Sequence, residues 1–541
     1  MVALIRSSVD VTARIAARAS FRQSRNLRSL CFSTKRVAVN FSGMNPSEKN
    51  PPPGWNRRNF LKASTLATGA LAFGVPTLLR GQNLNSKLNI ASIGVMGKGQ
   101  SDTDHCSSEN IVALCDVDSK RCAPQLKKYP AAKFYQDFRK MFDEMGKGID
   151  AVTVSTPDHF HAIAATAALK LGKHVYCQKP LTQTIYEARY LRNLAAETKL
   201  VTQMGNQGSA ADGLRRGVEC IQAGLIGQVR EVHVWTNRPI WPQGGTRPAG
   251  ADPIPTGLDW DIWLGPAPVR PFKNDVYHPF KWRGWKDFGT GALGDMACHT
   301  VNLPFRALRL GHPTEISAEV FGLNDEMYPL GSKIRFEFPA RKFTASAAHP
   351  TFFHHHDTTE QAAATFFWYD GGKPSSDPKA RGGHDGSNKP PRELTSDMEE
   401  MLGEIPGSGC LLIGDKGRIF SPDDYGEQFF VKLTGEKKFV HYKKNPAVAP
   451  IPERIPRNAF TGDSDHRHHL EWIAAIKANK PEDCYSRFAI GGQLAEIMLL
   501  GCVAVRTGKK IEWDGPNLRA KNCPEAAPFI RRENRAPWHL A

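Results

Sequence analysis

Internal repeats, paired cysteine motifs and long apolar runs are scarce in this 541-residue chain. No repeat is apparent, which argues against a repeat array. The eleven cysteines are scattered without CxxC spacing, so there is no zinc signature. Their odd number does not indicate a disulfide framework, and we expect mostly buried thiols. The uncharged run 63–79 is too short and too modest in hydrophobicity for a stable membrane span.

A net charge of +17 is typical of proteins that bind nucleic acid, but in this chain the charge is unevenly distributed. Residues 1–62 hold twelve Lys and Arg against two acidic residues, so they carry ten of the seventeen net charges. The body of the chain is only mildly basic. That balance favours an anionic cofactor over a surface that tracks DNA, and we expect no nucleic-acid partner.

The N-terminal segment 1–86 is interpreted as a targeting region. Two arginines and an apolar residue precede the uncharged run in "NRRNFLKASTLATGALAFGVPTLL" (56–79), the layout of a signal peptide. Arg57-Arg58-Asn59-Phe60-Leu61-Lys62 resembles the twin-arginine export motif, which predicts an exported, periplasmic protein. A basic tail on a buried helix is the alternative. Residues 1–43 alone look like an organelle transit peptide; we prefer an over-extended start, with Met44 as initiator.

A strand, a glycine-rich turn and a helix start are predicted in "KLNIASIGVMGKGQSD" (87–102). Gly94 and Gly99 hold the outer positions of a dinucleotide fingerprint, in which glycines let the backbone approach a pyrophosphate. The middle position is Met96 with Gly97 beside it, so the fingerprint is imperfect. The next strand, "NIVALCDVD" (110–118), ends at Asp116, where an acid can bind the ribose hydroxyls.

Asp116 also bears on the choice of cofactor. A carboxylate there accepts from the ribose diol and repels a 2′-phosphate, so NAD is favoured over NADP. Lys120 and Arg121 follow closely and keep NADP as the less favoured alternative. Asp116 could instead simply open the next turn.

The pattern continues as alternating strands and helices. "GIDAVTVSTPDHFHAIAATAALKLG" (148–172) predicts a buried strand and a helix capped by Asp158. "KHVYCQKPLT" (173–182) is the next strand and 185–199 the next helix. Such units imply a doubly wound parallel sheet with its ligand at the carboxyl ends of the strands. Lys179 lies at such an end before Pro180, so it is either displayed over the cleft or a solvated strand-end charge.

The alternation of strands and helices gives way to longer strand-like stretches near residue 209. Alternating stretches such as 227–241 and 333–338 predict a largely antiparallel sheet with helices on one face. We therefore expect an α/β protein: a Rossmann domain over 87–208 and a second α/β domain over 209–541. The segment 371–409, rich in Gly, Pro, Ser and charge, is interpreted as a surface insertion.

"DFGTGALGDMACHTVN" (287–302) places Asp295 and His299 four residues apart on a helix that should begin near Leu293. Such a pair can be a surface ion pair, or a base and its orienting carboxylate. As a base, His299 would ionise near the reference value of about 6.5.

These segments together resemble the Gfo/Idh/MocA oxidoreductases, from about Lys87 to the C-terminus. The resemblance rests on the glycine turn with Asp116, "TPDHFH" (156–161), "QKP" (178–180) and "GDMACH" (294–299), with "GDKGRI" (414–419) and "GKKIEWD" (508–514) later. Family members usually have Glu-Lys-Pro where this chain has Gln178, and many carry Asp where it has Asn302. With the export motif, the chain looks most like the exported branch.

The resemblance implies that the second domain, 209–541, serves substrate binding and oligomerisation, and it implies roles for individual residues. Lys179 would stabilise the developing alkoxide of a reacting hydroxyl, His299 would take its proton and Asp295 would assist, with the pair facing Lys179 across the substrate. Pro157 and His161 would lie near the nicotinamide. The implied cofactor-binding residues are Gly94, Met96, Gly97, Gly99, Asp116, Thr156, Pro157, His161 and Lys179.

Three functions fit the resemblance. The first is NAD-dependent hydride transfer to or from a hydroxyl of a sugar, sugar derivative or cyclitol by a homo-oligomeric enzyme. The second is glycoside cleavage through a transient keto-sugar with NAD retained, and the third is non-catalytic binding of a sugar or nucleotide. Substrate identity and reaction direction lie beyond the sequence.

Two weaker signals remain open. The histidines of "FHHH" (353–356) and "DHRHH" (465–469) do not pair with a second cluster at a metal-site spacing, so we predict no metal site. Trp241, Trp282 and Trp285 could stack on a sugar ring or pack in the core.

Overall fold

The computed structural model describes residues 86–342 and 360–540. Its first sheet has six parallel strands in the order β3-β2-β1-β4-β5-β6. This order confirms the predicted doubly wound sheet, whose strand order reverses between β1 and β4. The strands are β1 Asn89–Ile93, β2 Asn110–Cys115, β3 Lys133–Tyr135, β4 Ala151–Val154, β5 His174–Cys177 and β6 Thr202–Met204.

The central strands are short and apolar because both faces of the sheet are covered. Every residue of β4 is buried, as are three of four in β5. The helix after β5 begins at a capping box in which Thr184 and Glu187 bond each other's backbone. The helices associated with this half are α1 Lys98–His105, α2 Ala123–Lys128, α3 Phe138–Met145, α4 Asp158–Lys170, α5 Ile185–Thr198 and α6 Asp212–Gln222.

A ten-stranded sheet dominates the second half, in the order β16-β15-β14-β13-β7-β12-β9-β8-β17-β18. Its neighbours pair antiparallel except β7 and β12, which run parallel, so the largely antiparallel sheet is confirmed. The strands are β7 Val229–Thr236, β8 Glu315–Phe321, β9 Gly331–Phe338, β12 Ala364–Gly371, β13 Gly409–Gly414, β14 Gly417–Ser421, β15 Phe430–Leu433, β16 Val440–His441, β17 Ile511–Asp514 and β18 Arg519–Ala520, while β10 Arg341–Lys342 and β11 Glu360–Gln361 form a separate pair.

Helices of the second half pack on this sheet and also reach back to the first. They are α7 Trp260–Leu264, α8 Gly291–Thr300, α9 Asn302–Ala307, α10 Arg392–Leu402, α11 Ser464–Ala478, α12 Phe488–Thr507 and α13 Ala527–Ile530. Trp472 and Ile476 of α11 share a core cluster with Ile90 of β1 and Tyr176 of β5. The first half therefore completes its core with residues from the end of the chain.

Helix α12 is the described helix that is long and apolar enough to cross a membrane, with a mean hydropathy of 1.8. Within the fold, 89% of that window is buried. Its Gly492 lies against Arg192 and Leu181 of the first half, while Gly501 lies against Leu293 and Phe336. Its apolar character is accounted for by packing on both sides.

The segment 371–409 is not a plain surface loop. It contains α10, whose Met398 is fully buried beside Trp235 and Phe420. The Gly- and Pro-rich composition predicted the irregular part but hid this short amphipathic helix. The targeting region up to residue 85 and the "FHHH" stretch lie outside the described residues.

The ten cysteines in the described ranges are all buried and free. This confirms the expectation of buried thiols for that part of the chain.

Candidate active site

The turn between β1 and α1 has the close backbone packing of a dinucleotide loop. Gly94 has φ +78°, and a Cβ there would lie 2.8 Å from the carbonyl of Ser155. A Cβ on Gly99 would lie 1.8 Å from the Gly94 oxygen. Both positions therefore require glycine. Gly97 precedes α1 with φ +64° and open space around it, so the loop keeps its shape although Met96 fills the middle position.

Asp116 stands directly after β2 and touches this turn. Its Oδ2 accepts from the Val95 N–H at 2.9 Å and its Oδ1 from the Asp118 N–H at 3.1 Å. Burial raises the pKa of Asp116, and these two backbone donors oppose the rise. A carboxylate has about four acceptor sites, so two remain for a ribose diol.

Gln178 is explained by a buried carboxylate that the sequence analysis overlooked. Asp102, on α1, is fully buried and accepts from Gln178 Nε2 at 2.9 and 3.1 Å and from Ser155 Oγ at 2.6 Å. Lys98 Nζ lies 2.5 Å from the same group. A glutamate at 178 would place a second carboxylate here, whereas the amide donates. The departure from Glu-Lys-Pro therefore fits its surroundings.

Lys179 lies two residues beyond β5 and reaches into α8. Its ammonium donates to Asp295 Oδ1 and to the Asp295 backbone oxygen, both at 2.8 Å. Both side chains are largely buried, at 15% and 11% exposure. The pair expected to face Lys179 across the substrate therefore contacts it directly through Asp295. Asp295 contacts Lys179 because a buried ammonium carries a charge that must be paired, whereas a neutral imidazole carries none.

Arg283 is a second cation on Asp295 that sequence reasoning missed. Its Nε lies 3.2 Å from Asp295 Oδ1, and its guanidinium stacks over the Trp282 ring at 4.3 Å and the Phe280 ring at 4.7 Å. Burial alone would raise the pKa of Asp295, but Lys179 and then Arg283 hold it well below its usual range. The aromatic flanks of "FKWRGW" (280–285) were the available signal.

His299 lies one turn after Asp295 on α8, which begins at Gly291, two residues before the predicted start. The ring is buried beside Tyr425, with centroids 5.1 Å apart, and its Nδ1 has no hydrogen-bond partner among the described residues. Burial and then Lys179 lower the pKa of His299 well below 6.5. The imidazole is therefore neutral at neutral pH, as a general base must be.

Thr156, Pro157 and His161 surround the carboxyl end of β4. His161 Nε2 lies 2.8 Å from the Thr156 carbonyl oxygen, so Nε2 carries the proton. The buried atoms His161 Nδ1 and Thr156 Oγ1 have no protein partner in the described part of the chain. Burial lowers the pKa of His161 to about 4, so this ring is also neutral. Unpartnered buried polar atoms of this kind are expected where a polar ligand binds.

Asp158 does not cap α4 as predicted. It is the first residue of the helix, after Pro157, and its Oδ2 accepts from Thr290 Oγ1 at 2.7 Å. Burial, aided by the charge of Asp295, raises the pKa of Asp158 to about 7. The group is a second carboxyl beside the Lys179–Asp295 pair, not a helix cap.

The tryptophans singled out from the sequence are core residues. Trp241, Trp282 and Trp285 are 2%, 6% and 3% exposed. Trp285 Nε1 donates to the Val276 carbonyl and Trp241 Nε1 to Gln243. Their burial fits core packing rather than stacking on a sugar ring. Trp282 also packs against the Arg283 guanidinium.

The site as a whole fits a dinucleotide. A glycine turn with no room for side chains, an acid after β2 and orphaned polar atoms at the end of β4 lie along the carboxyl edge of one parallel sheet. A lysine, a carboxylate and a neutral histidine lie beyond them. These groups at the carboxyl edge of a Rossmann fold define a candidate dinucleotide-binding site.

Two family models match the chain. Residues 88–206 match the oxidoreductase family, NAD-binding Rossmann fold, and residues 221–317 match the C-terminal alpha/beta domain of the same oxidoreductase family. Residues 88–206 are therefore similar to the NAD-binding Rossmann domain, and residues 221–317 to the C-terminal domain, of the Gfo/Idh/MocA oxidoreductases.

Curated relatives match over part of their length. The chain is 31% identical over 151 residues to inositol 2-dehydrogenase of Salmonella typhimurium, covering 26% of this chain and 44% of that protein. It is 24% identical over 191 residues to levoglucosan dehydrogenase of Pseudarthrobacter phenanthrenivorans, covering 35% and 40%. The matches thus span less than half the length of these relatives.

Solved structures share the fold over a longer span. An inositol dehydrogenase homolog from Azotobacter vinelandii, complexed with NAD+, superposes with a TM-score of 0.51 at 16% identity, covering 80% of this chain and 99% of that one. A levoglucosan dehydrogenase complex with NADH and levoglucosan gives 0.50 at 17% identity, covering 79% and 99%. At such identities the likeness concerns the fold alone.

Proposed function

We propose that the protein is an NAD-dependent dehydrogenase acting on a hydroxyl of a sugar, sugar derivative or cyclitol. The observation that carries the proposal is the contact between Lys179 and Asp295, one helical turn before a neutral His299, at the carboxyl edge of the NAD-binding sheet. The names of the partial relatives, inositol and levoglucosan dehydrogenases, support a polyhydroxylated ring as substrate.

The residues divide the work of removing a proton from a substrate hydroxyl. His299 is neutral and buried, so it can accept that proton at its unprotonated ring nitrogen. The Lys179 ammonium stabilises the developing negative charge on the oxygen. The bound nicotinamide supplies the hydride-accepting carbon.

Asp295 and Arg283 position these groups. Asp295 holds the Lys179 ammonium by two hydrogen bonds, one to its carboxylate and one to its backbone oxygen, and Arg283 contacts the carboxylate as well. Two cations share the Asp295 carboxylate, so one positive charge is left over where an alkoxide would form whenever the nearby Asp158 carboxyl is protonated. That surplus favours the charged intermediate over the neutral alcohol.

The proposal is tested by mass spectrometry of nucleotide released from purified protein, followed by a sugar and cyclitol screen at the NADH absorbance. We expect NAD and net NADH formation with at least one polyol. Bond cleavage without net NADH would replace the proposal by glycoside cleavage with retained NAD. Nucleotide binding without turnover of any substrate would favour the non-catalytic alternative.

We further propose that the protein belongs to the exported branch of the family and acts in the periplasm as a homo-oligomer. The twin-arginine sequence at Arg57 and Arg58 supports export. The family resemblance supports self-association through the large sheet. Fractionation of cells expressing the wild type and Arg57→Lys/Arg58→Lys tests export, and light scattering of the purified protein tests oligomer formation.

A further inference from the structure

A cluster of potential metal ligands joins two helices that are far apart in the sequence. His105 is the last residue of α1, and Asp465 and His469 lie four residues apart on α11. One ligand atom from each of the three lies within 4.8 Å of the others. The histidines of "DHRHH" thus have a partner in space, His105, that sequence spacing could not reveal.

The three side chains each present a buried polar atom without a hydrogen-bond partner in the described part of the chain. These atoms are His105 Nδ1, Asp465 Oδ1 and His469 Nε2. Buried polar atoms are normally paired, so one orphaned atom on each of three neighbouring side chains requires an explanation. A single cation would satisfy all three.

The protonation of His469 sharpens this argument. Its Nδ1 lies 2.8 Å from the Asp465 backbone oxygen, which can only accept, so Nδ1 carries the proton. In the neutral ring, Nε2 then holds a lone pair, and it faces Asp102 Oδ1 at 3.2 Å. Two acceptors in contact repel each other unless a cation or a second proton is present. A histidine whose second nitrogen donates to a carbonyl is the usual arrangement of a metal ligand.

The charge balance also favours a cation. Two carboxylates, those of Asp102 and Asp465, lie beside the His469 ring. Lys98 is their shared ammonium partner, at 2.5 and 2.7 Å. One negative charge remains in excess. Lys98 contacts Oδ2 of Asp465, which leaves Oδ1 for another ligand.

We propose that His105, Asp465 and His469 bind a divalent transition-metal ion of the zinc type, which links α1 of the NAD-binding half to α11. Two imidazoles and one carboxylate suit zinc or cobalt, with a fourth position open to water. Tetrahedral ligands at about 2.0 Å from zinc lie about 3.3 Å apart, so the side chains would close by roughly 1.5 Å. His105 is part-exposed and gives the site an entry from solvent.

The experiment uses full-length, tag-free protein dialysed against chelator and then loaded with one equivalent of Zn²⁺ or Co²⁺. We expect about one ion per chain after gel filtration, a visible Co²⁺ spectrum of low coordination number and a raised thermal midpoint. His105→Phe, which keeps the ring packing, and Asp465→Asn should each weaken Zn²⁺ binding at least tenfold in competition with a chromophoric chelator. His539→Ala, at an exposed histidine, is the control and should bind as the wild type does.

Circular dichroism of the metal-free variants separates loss of the site from loss of the fold. Because His105 is part-exposed, His105→Phe tests the site with the least disturbance. Failure of the wild type to retain an ion would overturn the proposal, as would binding that is equally strong in both ligand variants. A metal-independent imidazolium signal from His469 at neutral pH would assign the orphaned atoms to a second proton instead.

Discussion

The Lys179 ammonium and the Asp295 carboxylate are in direct contact, 2.8 Å apart, although 116 positions separate them in the sequence. The contact joins the end of a strand in the NAD-binding sheet to a helix of the second half. It therefore ties the carboxyl edge of the first sheet to the helix that carries His299.

Replacing Lys179 by alanine should lower kcat by about two to three orders of magnitude and leave the Kd for NAD nearly unchanged. The reason is that, in the proposed function, Lys179 stabilises charge at the reacting oxygen, whereas the glycine turn would hold the pyrophosphate. The measurements are steady-state turnover of a substrate found in the screen and NAD titration by fluorescence. Lys170→Ala, at the exposed end of α4, is the matched control. Near-wild-type turnover would reduce Lys179 to a strand-end charge.

The pH dependence of kcat/KM should reflect the lowered pKa of His299. Because the imidazole stays neutral below its ordinary 6.5, activity should persist through that pH and fall only in more acidic solution. His299→Ala should lower turnover about 10²- to 10⁴-fold and remove this acidic limb. Asp295→Asn should shift the acidic limb of the profile to lower pH, since the Asp295 carboxylate raises the pKa of His299. A limb near 6.5 that survives in His299→Ala would exclude this residue as the base.

The combination of the two changes is also informative. If Asp295 and His299 act as one unit, the double variant should be little worse than His299→Ala. Strict additivity of the two losses would show that they act separately.

Arg283→Met should reduce kcat/KM by about 10- to 100-fold, the range for losing a hydrogen bond to a charged group. The guanidinium is one of two cations on Asp295, so its loss leaves the carboxylate and Lys179 less well fixed. Arg283→Lys should recover only part of the activity because an ammonium stacks poorly on Trp282 and Phe280. Arg230→Met, at an exposed position of β7, is the control. Equal activity of the lysine and arginine forms would argue against the stacking role.

Asp116→Ser should weaken NAD binding by about 10- to 150-fold and narrow the preference over NADP, because a charge-assisted ribose contact and the repulsion of a 2′-phosphate are both lost. The readout is the ratio of the two dissociation constants. The Asp116 carboxylate also accepts from Val95 and Asp118, so thermal stability is measured in parallel. An unchanged ratio would remove Asp116 from the cofactor site.

Asp158→Asn should make the protein more stable than the wild type at pH 8 relative to pH 5. The folded-state pKa of about 7 lies above the unfolded value of 3.8, so the folded wild type holds a proton across that window and loses stability as pH rises through it. The amide has no such ionisation. Thermal midpoints of both proteins between pH 5 and 8 provide the measurement; parallel curves would show that Asp158 does not titrate there.

Local patterns in the sequence were sufficient for the framework of the site. The alternation of apolar strands and helices predicted the parallel sheet, and the glycine turn and Asp116 predicted its nucleotide edge. The spacing of Asp295 and His299 placed them on one helix. These features depend on neighbours within a few turns, which is the range over which periodicity carries information.

The partners of these residues could not be predicted in the same way. Arg283 reaches Asp295, and Asp102 reaches Gln178, through packing between distant segments. The four-residue spacing left open whether Asp295 forms a surface ion pair or orients His299, whereas in the structure its buried carboxylate contacts Lys179 and Arg283. The choice among partners is made by charge and burial in the folded state, which spacing does not encode.

The core shared by Trp472 of α11 and the strands of the first sheet has a consequence for folding during synthesis. Residues 87–208 leave the ribosome long before α11 and α12 do. One flank of the first sheet therefore stays uncovered until those helices have been made. The core of the first sheet is therefore complete only after the segment from Ser464 onward has packed against it.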